Sequence, residues 1–433
     1  MPSRAPAQPG PPVPLGRASA FVLGKQGLAG PGLADLDAAG AATAGVYATA
    51  PTCYLSFAAR VPGFHLRDLD AALYEQRRLV RVRCMRESSY VVPAGSLPVV
   101  VAATTGQTER VARRYARASG LDDAGFDALG DAIERAMAGR APATKAEVRS
   151  LLGPGAPASG VVSWTVACLC AQARLVRAEV RGGWRSDTYA YACWADWLGA
   201  PLQRLDPATA RVELARAYLR AFGPATSADL SWWSGWGARD TAAAVAALGD
   251  EVAPVSLHAP DLPEMPALVL ADEAGALAAS QDAAEGVRLL PVWDTYLMGY
   301  ARGPAGRRRL VRPGDYERVY DLAGNGTSVL LVDGVAAGVW ELAPAAERAG
   351  TRSDAVHGRP PEAGAGRDSR LALTVAPFGP AGRALRTQVE AVATRLASQT
   401  GHAEAKVTWA GPTGRLAAGA RNAFLAPVRL GGT

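Results

Sequence analysis

Two stretches of this chain, about a hundred residues apart, follow one plan. The first reads Arg78-Leu79-Val80-Arg81-Val82-Arg83 and the second Arg174-Leu175-Val176-Arg177-Ala178-Glu179. Each follows a segment with helical spacing: Leu66, Leu69 and Leu73 share one face over residues 65–76, and Val162, Val166, Leu169 and Ala173 do so over residues 161–173. Each continues as a candidate β-hairpin. In the first, residues 79–85 run out, Glu87-Ser88 turns and residues 89–92 return; in the second, residues 175–180 run out, Arg181-Gly182-Gly183-Trp184 turns and residues 188–193 return. Paired glycines suit a tight hairpin because its turn needs positive φ.

A third, fainter copy begins near residue 208. Residues 212–221 predict a helix, Thr226-Ser227-Ala228-Asp229 opens a second, residues 238–248 form a third and residues 252–257 a strand. Helices closing on a two-stranded wing make a winged helix, whose last helix enters the DNA major groove while the wing reaches the backbone or minor groove. Beyond this the register changes. Residues 287–293 are strand-like, and residues 329–332 and 335–341 flank Asp333-Gly334, a good hairpin turn. Residues 345–370, rich in Gly, Pro, Ala and Arg, read as a disordered insert; a strand (371–376), a helix (382–398) and a last strand (406–410) follow.

The expected fold class is α+β: three tandem winged-helix (helix-turn-helix) domains followed by a small β-barrel/α+β C-terminal domain. Its expected divisions are a disordered tail (1–18), winged helices at 19–104, 105–200 and 201–260, the barrel at 261–343, the insert at 344–370 and an α/β extension of the barrel at 371–433.

Composition narrows the function. With 433 residues, 49% hydrophobic and 20% charged, the chain can bury real cores. No apolar run approaches the ~20 residues of a membrane helix, and the Pro-rich residues 1–15 lack the apolar stretch of a signal peptide. A cytoplasmic, nucleoid-associated protein is expected. Five cysteines, an odd count, include the tight pair Cys168 and Cys170, and the four histidines are scattered, so neither disulfides nor a metal is expected. Lys25, Lys145 and Lys406 are the only lysines, and every other basic residue is Arg. GC-rich codon usage explains that as well as function does. Even so, the planar guanidinium suits phosphate and the net charge is +6.

Several stretches, taken in order, carry a more specific resemblance. They are Gln26-Gly27-Leu28 on the first helix, Ala58-Ala59-Arg60-Val61-Pro62-Gly63-Phe64, Arg78-Leu79-Val80-Arg81 with Met85-Arg86, and Gly182-Gly183-Trp184-Arg185-Ser186. Phe222-Gly223-Pro224-Ala225-Thr226, Trp232-Trp233-Ser234-Gly235 and Leu289-Leu290-Pro291-Val292-Trp293-Asp294 with Tyr296-Leu297 complete the set. From about residue 19 to about residue 411 the chain resembles the bacterial AlkZ-like family of tandem winged-helix proteins, which includes DNA glycosylases that unhook alkylated guanines and crosslinks.

The resemblance implies a double-stranded DNA partner, alkylated in a repair or self-resistance role. It also implies monofunctional excision of N7-alkylated bases or crosslinks without cofactor or metal, by a monomer. The family's chemistry resides in a Gln-x-Gln or Gln-x-Asp motif. The matching stretch here is Gly45-Val46-Tyr47-Ala48-Thr49-Ala50-Pro51, so Tyr47 and Thr49 stand at the catalytic positions. A related branch carries His-Ala-Thr-Asp-Pro there, and this chain has Tyr47 for that His and Ala50 for that Asp. An N7-alkylguanine already carries positive charge, so excision asks mainly for an oriented water and a stabilised oxocarbenium-like sugar. Neither hydroxyl is a base near neutrality, and losing general-base help costs roughly 10²–10⁴ in rate. Lys25 is the lysine nearest the motif in sequence, which disfavours a Schiff-base step. A non-catalytic DNA-binding module, such as a regulator or lesion sensor, is the second reading.

The candidate DNA contacts come in three groups. Arg81, Arg83 and Arg86 are read as alternating along one strand toward a phosphate track, against a solvated face. Arg181, Trp184 and Arg185 would sit at the second wing tip, with Trp184 free to wedge between bases or tucked against its own wing. Arg307, Arg308 and Arg309, with Arg312, would clamp DNA from the barrel side or form a solvated loop. Trp232, Trp233 and Trp236 read as a core anchor, and Asp294 as a turn cap. Ala48 should face the core while Tyr47 and Thr49 open on a basic cleft within reach of Arg86.

Overall fold

The computed structural model describes residues 10–281, 283–303, 306–343 and 370–411. Three parts of it repeat one element order. The first has helix Leu36–Ala42, strand Val46–Tyr47, helix Thr52–Arg60, a helical segment from Leu66 to Glu75, and the hairpin Leu79–Arg83/Ser89–Pro93. The second has helix Asp123–Met137, strand Ala143–Thr144, helices Lys145–Leu151 and Ser159–Ala171, and the hairpin Leu175–Arg181/Thr188–Cys193. In both, the short early strand pairs antiparallel with the returning arm of the hairpin. The third has helices Pro207–Phe222, Ser227–Ser234 and Ala238–Leu248, then the hairpin Val252–Ala259/Leu262–Leu270. There a single bridge, Ala225 with Leu268, stands in for the short strand.

The helix starts follow from local chemistry. Asp35 accepts the Ala38 amide at 2.8 Å, Asp206 accepts that of Thr209 ahead of Pro207, and Thr144 with Glu147 and Thr226 with Asp229 form reciprocal capping boxes. Gly235 ends its helix at φ +76°, a conformation that strains any side chain with a Cβ.

Several sequence expectations shift. Residues 10–18 were expected in the tail. Instead strand Pro12–Pro14 runs parallel to Val252–Ala259, and helix Leu15–Lys25 follows it. The cause is the alternation around Val13, which buries its side chain against Val255 and Leu257. Gln26 therefore lies just past that helix. A division at residue 104 falls inside the 22-residue helix Leu97–Ala118. The third unit continues past residue 260, because Leu262–Leu270 completes its hairpin. The C-terminal sheet orders Val287–Leu290, Val329–Val332, Val335–Leu342, Arg370–Pro377 and Glu404–Trp409, with helix Arg383–Gln399 against it. Its first and last strands do not pair among the described residues, so the small β-barrel or curled sheet that the sequence suggests is an open half-barrel. The insert, apart from Arg370, and the extension past residue 411 lie outside the described residues.

The units are not beads on a string. The largest apolar cluster joins Val22 and Leu23 of the first helix, Val82 and Tyr90 of the first hairpin, Val100, Leu214, Trp233 and Leu331. A second joins the first unit to the C-terminal sheet through Phe57, Leu69, Leu371 and Val389. Shared burial of this kind, at ~25 cal/mol per Å² of apolar surface, holds the units in fixed relation.

Candidate nucleic-acid interface and catalytic cleft

The motif segment is fixed from three sides. Strand Val46–Tyr47 pairs with Tyr90 and Val91. The loop after Val287–Leu290 grips both ends: the Thr295 hydroxyl donates to the Gly45 carbonyl at 3.1 Å, and the Thr52 hydroxyl donates to the Val292 carbonyl at 2.9 Å. The second unit's hairpin closes the third side, where Asp187 accepts the Ala50 amide at 2.8 Å. Ala48 is 1% exposed and faces the core, whereas Tyr47 and Thr49 are half-buried.

The two motif hydroxyls differ. Tyr47 Oη bonds Ser88 Oγ at 3.0 Å, and its ring packs on Tyr90 and Trp293 with centroids 5.3 and 5.7 Å away. Burial pushes its pKa up, while the Ser88 bond, Arg86 and Arg83 pull it down by less. It stays a neutral phenol, a donor and weak acceptor. Thr49 Oγ1 is enclosed and has no hydrogen-bond partner among the described residues.

Behind the motif segment, Asp294 is wholly buried and forms two charged bonds to Arg60, at 2.7 and 2.8 Å. It also accepts the Ser56 hydroxyl at 2.7 Å and the Tyr296 amide at 2.9 Å. The turn cap expected of Asp294 is present, together with an ion pair that spacing alone does not reveal. Gln26 accepts from Arg60 and donates to the Ala221 carbonyl, which extends the network to the third unit.

The predicted contact residues separate by burial. Arg81 is 2% exposed, so it belongs to the interior: it donates to the Ala48 carbonyl at 2.6 Å and to Tyr189 Oη at 2.8 Å. The second hairpin covers it, which removes it from any phosphate track. Arg83 and Arg86 stay half-buried. Arg83 lies over Trp164, and Arg86 lies over Trp232 with 3.6 Å to the ring centroid. Arg86 sits at φ +51° in the turn after the strand, so it does not alternate with the other two.

The second hairpin's tip is docked. Trp184 packs against Tyr54 of the first unit, and Arg185 donates to the Ala343 carbonyl at 2.9 Å. Arg181 pairs with Glu147. In the basic run, Arg307 and Arg309 fold inward, 0% and 4% exposed, over the rings of Tyr320 and Tyr300, and Arg308 pairs with Asp261. The clamp reading of this run is corrected accordingly: two of its three guanidinium groups are consumed by aromatic rings and backbone carbonyls. Trp233 and Trp236 are core residues, and Trp232 is half-buried beneath Arg86.

Other cations gather where those were expected. Lys145 and Arg177 of the second unit lie beside Arg83. Burial first, then Arg177 and Arg83, lowers the Lys145 pKa, and burial and Arg177 lower that of Arg83. Arg177 donates to Ser89 Oγ, bridging the two hairpins. The exposed Arg110 and Arg114 of the long helix stand near Glu87, whose carboxyl is nonetheless raised by burial. None of Arg83, Arg86, Arg110, Arg114, Arg177 and Lys145 is ion-paired among the described residues. Sequence reading missed Lys145, Arg110, Arg114 and Asp187. Arg177 had been visible as the counterpart of Arg81 in the repeat. Lys25, the lysine nearest the motif in sequence, is held by Glu273. Among the described residues no cluster could hold a metal ion.

A family model described as DNA glycosylase AlkZ-like matches residues 37–398. The chain belongs to the AlkZ-like DNA glycosylase family. The Streptomyces sahachiroi DNA glycosylase AlkZ is similar in structure, with a TM-score of 0.71 and 21% identity, over 91% of this chain and 99% of that one. At that identity the likeness establishes the fold. A comparison with curated proteins returns no match. AlkZ-like membership places the chain among DNA repair glycosylases, and with them a DNA partner.

Proposed function

We propose that the protein binds double-stranded DNA along its two adjoining hairpins and excises N7-alkylated bases or unhooks crosslinks, leaving the sugar–phosphate backbone whole. In this reading the three repeated units are winged-helix domains, and the protein acts as a monomer at the nucleoid in alkylation repair or self-resistance. The observation that carries the reading is the group of unpaired cations beside an enclosed motif segment. Cations that no carboxylate pairs directly are stabilised by phosphate, which offers each guanidinium two oxygens. Arg83 and Arg86 then hold phosphates flanking the lesion, and Tyr47, backed by the buried rings of Tyr90 and Trp293, borders the extruded nucleotide.

The lesion class follows from the weak acid–base equipment of the motif. A neutral Tyr47 and Thr49 cannot drive departure of an unmodified base. An N7-alkylated purine needs no protonation, since the glycosidic electron pair neutralises its own ring. One observation favours the second reading, a non-catalytic lesion sensor: the Tyr47 hydroxyl is already bonded to Ser88.

The test is base release from duplex DNA carrying one N7-methylguanine, followed by chromatography. Release above the spontaneous rate, with no strand break before alkali, is expected. Tight binding without release would establish the sensor instead.

A further inference from the structure

The excision reading leaves a chemical gap, since the motif offers no carboxylate or amide to orient the attacking water. The second unit fills it. We propose that Asp187, from the hairpin of the second unit, supplies the carboxylate that orients and deprotonates this water, replacing an acid that the motif lacks. The inference rests on the excision reading and names a residue for it.

The geometry is specific. Asp187 Oδ1 accepts the Ala50 amide at 2.8 Å, and Tyr189 Oη stands 3.0 Å from the same oxygen. Tyr189 is itself fixed by Arg81, 2.8 Å away, which also holds the Ala48 carbonyl. The carboxylate is therefore tied to both ends of the Ala48–Thr49–Ala50 segment through one oxygen. Oδ2 has no hydrogen-bond partner among the described residues, Asp187 is half-buried, and it forms no ion pair there. Thr49 Oγ1, on the residue between, is the other unpartnered oxygen of the segment. A water bound at Oδ2 meets a charged acceptor held against the motif backbone, the contact that the acid of an acid–amide motif would give it.

The loop is rigid enough for the task. Trp184 packs on Tyr54, Arg185 bonds the Ala343 carbonyl, and Ser186 Oγ accepts the Thr188 amide at 3.2 Å. A general base works through such fixed placement.

The step balances without a further reactant. Water oxygen bonds to C1′ of the deoxyribose as the C1′–N9 bond breaks. The electron pair of that bond passes into the imidazolium ring, and the alkylguanine leaves neutral. The water proton passes to Asp187 Oδ2 and then to solvent, leaving an abasic hydroxyl at C1′.

Single-turnover base release from the N7-methylguanine duplex tests the assignment with Asp187→Asn. Asn keeps an oxygen for the Ala50 amide but loses the charge. Release at least about 100-fold slower, with unchanged DNA affinity and melting temperature, is expected. Release within threefold of the unsubstituted protein overturns the assignment while leaving the excision reading intact. No release from the unsubstituted protein overturns both. If the Asn variant does not fold, Asp187→Ser, with a smaller acceptor, is read in the same way. Partial recovery of Asp187→Ala by added formate is expected of a base, and its failure in a folded variant counts against one.

Discussion

Arg81 and Arg83 occupy the same strand two positions apart, yet one is interior and the other borders the cleft. Alternation along a strand was legible in the sequence. The cover over Arg81 was not, because Tyr189 arrives from a hairpin about a hundred residues away. The difference makes opposite predictions. Arg83→Ala should weaken DNA binding across all sequences and lower the salt slope by about one, with the fold intact; salt titration of a labelled duplex reads it. Arg81→Ala should instead lower stability, since the Ala48 carbonyl loses its main donor. Lys145 adds a pH dependence. Its folded pKa is depressed below 10.5 by burial and by Arg177. Its positive charge is therefore lost earlier on alkaline titration than that of a free lysine. DNA affinity should fall as pH rises through that lowered value, below 10.5, and Lys145→Arg should flatten the fall. A profile identical in both proteins would remove Lys145 from the interface.

At the scale of elements, the repeat predicted both hairpins closely because their signals are local: β-formers, a polar turn, with paired glycines in the second, and a preceding apolar helix face. The spacing that turns Ala48 inward and leaves Tyr47 and Thr49 less buried was likewise legible. What escaped was pairing between distant elements. Helix Thr52–Arg60 and the loop carrying Asp294 meet through a salt bridge with both side chains 0% exposed. Nothing in the local sequence marks Arg60 as buried, although it lay inside a stretch that carried the family resemblance. Removing one partner leaves the other as an uncompensated interior charge. Asp294→Ala should cost about 3–5 kcal/mol, read by chemical denaturation, and should loosen the loop that grips Gly45 and Thr52. Replacing both partners together by apolar residues of similar volume should cost far less. Equal losses in the single and double variants would show that the cost of Asp294→Ala does not come from stranding the Arg60 charge.

For the whole molecule, the sequence suggested separable domains preceded by a tail, and the structure joins them through common cores. The start of the described chain shows how. Strand Pro12–Pro14 adds a parallel edge to the third unit's sheet, the Pro11 carbonyl accepts the Ser256 amide at 3.0 Å, and Val13 is buried with Val255 and Leu257. Helix Leu15–Lys25 then crosses to Glu273 of the same unit and, through Gln26, to Arg60 of the first. Proline-rich composition signalled disorder because it carries no helical periodicity. A parallel edge strand needs only a few donors from its neighbour, and proline is tolerated at a sheet edge. Removing residues 1–14 deletes one buried valine and the parallel ladder to Val252–Ala259 while baring an edge strand. The loss should be about 2–4 kcal/mol from those two contributions. The truncated protein should also self-associate, since an uncovered strand edge pairs with other chains. Thermal melting and light scattering measure these effects separately. The cleft residues Tyr47, Thr49 and Asp187 lie on other elements, so duplex affinity at low temperature should stay within a few-fold of the full chain. Unchanged melting after truncation would show that the parallel strand contributes nothing to the fold.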